Sequence, residues 1–202
     1  MLWSINSDNP QMRLIKKAVD ILNDDGVIVY PTDTAYGLGC SLHNKKGIEK
    51  IYEIKRQNKR KPLSFICSDL KDISRYARVT DYAYKTMRRL LPGPYTFILE
   101  ASRLVPKIIL PKRQTTGIRV PDSRICLAIV RELGQPVIST SVKTEEGEIL
   151  SDPRDIEERF GRRVDLVIDA GVKLSGQSSV ISLVDDIIEV IRVGQGDVSA
   201  FI

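Results

Sequence analysis

Apolar residues recur along the chain in two rhythms. Leu14, Ile15, Ala18, Val19, Ile21 and Leu22 fall three and four apart, which predicts an amphipathic helix. Asn9 and Pro10 are its expected cap and first turn, and Gly26 its end. Val27-Ile28-Val29-Tyr30 is short, β-branched and unbroken, which predicts a buried strand closed by Pro31. A second helix is expected from Asn44 to Lys55 with Ile48, Ile51, Tyr52 and Ile54 inward, and then a strand at Leu63–Cys67. Asp69 and Thr80 begin two more helices, and Pro92-Gly93-Pro94 stops the second of them. Strands at 95–99 and 116–120 precede a helix capped by Ser123 and ended by Gly134. Strands at 136–141 and 164–168 flank a charged helix from Asp152-Pro153. A hairpin at 179–193, turning through Asp185-Asp186, completes the series.

Helices and strands intermix without strict alternation, so the expected fold is a single α/β domain over residues 1–202 with a mixed sheet. The length of 202 residues, 42% hydrophobic and 28% charged, suits one soluble globular unit. No stretch approaches the apolar length of a membrane span, and no secretory signal opens the chain. Cys40, Cys67 and Cys126 are odd in number and widely spaced, which fits neither a disulfide framework nor a zinc site. A cytoplasmic location is expected.

The stretch richest in candidate chemistry is Pro31-Thr32-Asp33-Thr34-Ala35-Tyr36-Gly37-Leu38-Gly39-Cys40, expected to be a loop following the first buried strand. Its hydroxyls suit a polar ligand and its glycines a close backbone approach. A polar connection whose Thr and Asp cap local backbone is the alternative. Arg119, at a strand end before Pro121, suits carboxylate or phosphate, or else a structural ion pair. The net charge of +5 is accompanied by a dense run, Lys55, Arg56, Lys59, Arg60 and Lys61, that suits phosphate contact. Without aromatics between them, these residues would hold RNA by charge alone. His43, the only histidine, is expected to end a loop rather than act as a base, and Cys40 to be buried.

The ten-residue stretch closely resembles the PTDTxYGLGC signature of the YrdC/YciO family, which includes the threonylcarbamoyl-AMP synthases. The resemblance continues in order through Lys55 and Lys61-Pro62-Leu63, Pro92-Gly93-Pro94-Tyr95-Thr96, Arg119-Val120-Pro121, Thr140-Ser141, Ser178-Ser179-Val180 and Arg192-Val193-Gly194. It implies an open twisted sheet with a concave basic face. It also implies a nucleotide and substrate site at Thr32, Thr34, Tyr36, Lys55, Thr96, Arg119, Thr140, Ser141, Ser179 and Arg192. The implied activity is a transferase reaction in tRNA processing that joins L-threonine, bicarbonate and ATP into threonylcarbamoyl-AMP, with Mg²⁺ held by the phosphates and no protein metal cage.

Three positions depart from the synthase pattern and resemble the YciO branch. They are Gln57 in the basic segment, Asp122-Ser123 after the RVP segment, and Val142-Lys143 after Ser141. The alternative function is therefore a double-stranded RNA- or nucleotide-binding protein without synthase activity. If Lys143 enters the cleft, it and Val142 are expected to weaken ATP binding and its magnesium dependence.

Overall fold

The structure, a computed structural model, describes residues 1–56, 62–173 and 176–202. Ten strands form one sheet: β1 (Leu2–Ser4), β2 (Val27–Pro31), β3 (Tyr36–Ser41), β4 (Ser64–Ile66), β5 (Tyr95–Glu100), β6 (Thr115–Arg119), β7 (Val137–Ser141), β8 (Leu166–Asp169), β9 (Ser179–Ser182) and β10 (Glu189–Arg192). Their order is β1-β8-β2-β3-β7-β4-β6-β5-β9-β10. Four neighbouring pairs are parallel and five antiparallel, the mixed α/β sheet that the pattern predicts.

The six α-helices are α1 (Met12–Asn23), α2 (Lys45–Ile54), α3 (Leu70–Tyr76), α4 (Asp81–Leu90), α5 (Arg124–Leu133) and α6 (Pro153–Phe160). Side-chain oxygens of Asn44, Asp69, Thr80, Ser123 and Asp152 accept the orphan N–H groups of the first turns of α2 to α6. Gly134 takes the left-handed conformation, φ 70°, that ends α5. The helix α1 departs from expectation. Gln11, not Asn9, precedes it, because Asn9 is drawn into a turn in which Asn6 Oδ1 accepts from the N–H groups of Asp8 and Asn9.

The hairpin of β9 and β10 turns through Asp185 and Asp186 as expected, both with positive φ. Strand β1, absent from the sequence reading, pairs in parallel with β8. The signature stretch is also divided differently. Only residues 32–35 form a loop, while Tyr36 to Cys40 lie inside β3, where antiparallel pairing to β2 on one side and β7 on the other makes a central strand.

The two faces of the sheet have different fates. One carries Val27, Val29, Tyr36, Leu38, Phe65, Phe97, Leu99 and Ile118 beneath α2, α3, α4 and α6. On the other, α1 and α5 cover Ile28, Tyr30, Ile66, Val137, Leu166 and Ile168. That second cover extends no farther than the β4 end of the sheet. Beyond it, the same face of β4, β6, β5 and β9 carries Ser64, Gly117, Thr96 and Val180 at alternate positions, with none of the six described helices over them.

All three cysteines lie in these cores. Burial pushes the Cys40 thiol up from its ordinary value of 9 to about 12, and raises Cys67 and Cys126 as well. A raised thiol gives stability that is whole below 9 and is lost as pH climbs toward the folded value. The loss is about 1.4 kcal/mol per thiol one pH unit above 9. The urea midpoint should therefore fall between about pH 8 and about pH 10, and replacing the three cysteines with alanine should flatten that fall. An equal fall in the triple variant would remove the thiols as its cause.

Candidate functional site

The uncovered half of the sheet encloses a cavity of about 330 Å³, within the range of small-molecule sites. Its floor is made by alternate residues of neighbouring strands. Register places Ser64 beside Gly117 and Ser139, Ile66 beside Arg119, and Thr96 beside Val180. Small residues there leave the space open: a Cβ on Gly117 would meet Ser64 Oγ at 3.1 Å and Thr96 Cγ2 at 3.3 Å. Thr32, Ser64, Thr96, Ser139, Thr140, Ser141 and Ser178 are its hydroxyl-bearing lining residues, while Ile66, Ile98, Val180 and Ile191 supply apolar wall.

Two guanidinium groups enter this space. Arg119 is buried, with its side chain 9% exposed, and is ion-paired with Asp33, whose side chain is 11% exposed. It also donates to Thr34 Oγ1 at 2.8 Å. Arg119 Nε and Asp33 Oδ2 are buried with no hydrogen-bond partner. The structural ion pair expected as one alternative for Arg119 is present, and the residue also lines the cavity.

Arg192 lies at the exposed mouth. Its Nε and Nη2 donate to the Ser178 carbonyl at 3.1 and 2.8 Å, and Ser178 Oγ lies 2.7 Å from Thr96 Oγ1. Among the described residues no carboxylate pairs with Arg192. Partial burial lowers its pKa, and the nearby charge of Arg119 lowers it further. Two mutually repelling cations with a single carboxylate between them leave the described lining positive, which favours an anion.

Of the residues expected at the site, Thr32, Tyr36, Thr96, Arg119, Thr140, Ser141 and Arg192 line the cavity. Three do not. Thr34 sits behind Arg119, within 3.3 Å of Thr32 Oγ1. Lys55 ends α2 and donates from Nζ to the Ser141 carbonyl at 2.9 Å, at the edge of the site. Ser179 faces the opposite side, fully buried, with its hydroxyl on the Gly196 carbonyl at 2.5 Å. Strand alternation gives the cavity to Ser178 instead. Ser64 and Ser139 were missed as well, and their cross-strand pairing was invisible in sequence.

Tyr36 borders the cavity, but its side chain belongs to the core and its hydroxyl donates to the Gly171 carbonyl at 2.7 Å and accepts from Ala170 N–H at 3.1 Å. Burial pushes this phenol up to about 12, so it keeps its proton at neutral pH. The signature glycines serve packing as much as ligand approach. A Cβ on Gly37 would lie 2.9 Å from Tyr30 Cζ, and the Tyr30 hydroxyl crosses to Ser139 Oγ at 2.5 Å.

Val142 corrects an expectation. It is buried in the core on the far face, and neither it nor Lys143 lines the cavity. His43 is exposed just before α2, outside the site, and Cys40 is buried. Of the basic run, Lys59, Arg60 and Lys61 lie outside the described residues, as does Gln57. Arg56 is ion-paired with Glu145 at 2.7 Å across an exposed surface. No helix among the described residues is long and apolar enough to cross a membrane.

Comparison with known proteins places these features. The chain is 42% identical over 200 residues to protein YciO of Escherichia coli, covering 98% of this chain and 97% of that one. The solved structure of E. coli YciO superposes with a TM-score of 0.94 at 41% identity, over 100% of this chain and 99% of that one. A putative threonylcarbamoyl-AMP synthase of Methanocaldococcus jannaschii is 35% identical over 195 residues, 96% of this chain and 91% of the relative. P. abyssi Sua5, solved in complex with L-threonine, shares the fold with a TM-score of 0.85 at 23% identity, over 91% of this chain and 54% of that one. The Sua5/YciO/YrdC family model, described as "Telomere recombination", matches residues 20–194. The chain belongs to the Sua5/YciO/YrdC family.

Proposed function

We propose that the cavity binds an amino acid and a nucleotide and joins them as a threonylcarbamoyl-AMP synthase does. On this reading L-threonine, bicarbonate and ATP give threonylcarbamoyl-AMP and pyrophosphate, for use in tRNA modification. The observation that carries the reading is the pair Arg119 and Arg192, two cations with one carboxylate, at one end of a hydroxyl-lined cavity. The relative from M. jannaschii and the threonine complex of P. abyssi Sua5 support the choice of substrates.

The described lining residues include no histidine, carboxylate or lysine, and Tyr36 holds its proton. Catalysis on this reading is by placement and charge neutralisation. The guanidinium groups hold carboxylate and phosphate oxygens in reach of each other, while the hydroxyls of Ser139 and Ser141 fix polar groups of the substrates. Among the described residues the lining lacks carboxylates, and no cluster of three or more His, Cys, Asp or Glu is found. Any Mg²⁺ would come with the phosphates.

Arg192→Gln should weaken binding of AMP or ATP by about 1.5–3 kcal/mol, the scale of a hydrogen bond to a charged group. Because Arg192 is exposed at the mouth, thermal stability should change little, and calorimetric titration beside a melting curve separates the two. Unchanged affinity would remove Arg192 from the site.

The deciding experiment incubates the pure protein with ATP, bicarbonate and threonine, and assays pyrophosphate and the acyl-adenylate. Formation of both supports synthesis. Nucleotide or RNA binding without either product supports the second reading, a YciO-like binding protein, which the higher identity to YciO favours.

A further inference from the structure

The net charge of +5 is not spread over the chain. Residues 69–113 hold ten lysines and arginines against four aspartates and glutamates, a net +6, so the remainder, with 21 against 22, is close to neutral. This stretch comprises α3, α4, β5 and the connection 101–114 to β6. All ten cations are exposed. Among the described residues only Arg78 has a carboxylate partner, Glu100 at 3.3 Å.

The topology gathers these cations on one side. Helices α3 and α4 cover the sheet face opposite the cavity, through Ile73, Tyr76, Ala83 and Met87. The connection 101–114 inserts Val105 and Ile109 into the same core. It is tied to α3 where Ser102 N–H donates to the Tyr76 carbonyl and Ser102 Oγ to the Arg75 carbonyl, 2.8 and 2.7 Å. The chain just before Arg103 is thereby held against the segment that carries Arg75 and Arg78, and α4 adds Lys85, Arg88 and Arg89.

Helix α4 also exposes two aromatic rings, Tyr82 and Tyr84, among its cations. Its apolar residues Ala83 and Met87 are buried, so it has no apolar stripe to lay in a bilayer. Unpaired cations interleaved with exposed aromatic rings are the surface that single-stranded nucleic acid requires, phosphates on the charges and bases on the rings. We propose that the face formed by α3, α4 and the connection 101–114 is a docking surface for single-stranded RNA, independent of the cavity on the other side of the sheet.

The test measures fluorescence anisotropy of a labelled oligouridylate against salt concentration, using the full chain. The variant Lys85→Glu/Arg88→Glu/Arg89→Glu should lose at least roughly tenfold in affinity. Its slope against log salt should be shallower by about 2, from about 0.7 per lost phosphate contact on a single strand. Tyr82→Ala/Tyr84→Ala should weaken binding while leaving the slope unchanged. Melting curves and nucleotide titration at the cavity should match the parent for both variants, since every altered side chain is exposed and none lines the cavity. Equal RNA affinity in parent and charge variant overturns the proposal. So does loss of binding on Lys59→Ala/Arg60→Ala/Lys61→Ala with α4 intact, and so does binding to anionic vesicles in preference to the oligonucleotide.

Discussion

Replacing Arg119 with alanine is expected to lower the free energy of unfolding by about 3–5 kcal/mol, the cost of stranding one half of a buried ion pair. Asp33 would remain nearly buried with no cation beside it, and its Oδ2 already lacks a hydrogen-bond partner. Thr34 would lose the donor that Arg119 supplies to its hydroxyl. The converse change, Asp33→Asn, leaves Arg119 facing the charge of Arg192 with nothing to offset it.

Each single variant should therefore be costly, and Asp33→Asn/Arg119→Met together should cost much less than their sum. Urea denaturation of the four proteins measures that coupling. Additive losses would mean that the pair contributes nothing as a pair. A ligand assay on the double variant adds a second readout: binding of an anion should fail even where stability is recovered, because Arg119 lines the cavity.

Gly39→Ala should be comparably severe, for a steric reason. Gly39 lies in β3, paired on both sides, with Ile28 and Ser139 as its cross-strand neighbours. An added Cβ would stand 2.6 Å from the Ile138 carbonyl oxygen and 2.6 Å from Val137 Cγ1. Backbone in the middle of a sheet yields little, so the loss should reach or exceed the usual 1–3 kcal/mol of overpacking. Gly37→Ala is the informative contrast. Its obstacle is the Tyr30 ring, a side chain. Tyr30→Leu in the same chain should recover much more of the loss for position 37 than for position 39. At position 39 the Tyr30 ring, at 3.0 Å, is the lesser obstacle, and the Ile138 carbonyl and Val137 Cγ1 remain. Denaturant midpoints of the four variants decide it, and equal rescue at both positions would refute the steric assignment.

How far the sequence disclosed this molecule depended on the range of the interactions involved. Helix caps at Asn44, Asp69, Thr80 and Ser123 were legible because a cap and the N–H that donates to it lie three residues apart. Asn9 misled because Asn6, three residues earlier, competes for its backbone. Strand β1 escaped notice since its reason for being a strand lies in β8, far along the chain.

The signature was recognised, yet its division between loop and strand was not. Gly37 and Gly39 read as loop glycines when only pairing with β2 and β7 reveals them as strand residues. Asp33 and Arg119 were both singled out, but their ion pair spans 86 positions and nothing local announces it. Ser178 and Ser179 differ by one residue and so by one face, a distinction that register settles and composition cannot.

The half-covered sheet has a consequence for how such a protein changes over generations. Along β6, Thr115, Gly117 and Arg119 face the cavity, while Thr116 and Ile118 face the core. Recognition and cohesion are thus written on alternate letters of the same strand. Substitutions at Thr115, Thr140 or Ser141 alter the lining of the concavity without removing apolar side chains from the packed interior. Arg119 is the exception, since its tie to Asp33 makes one residue answer to both demands. The fit of a small ligand can therefore be altered at the hydroxyl positions, while the arginine and its carboxylate keep the strands that frame the concavity tied together.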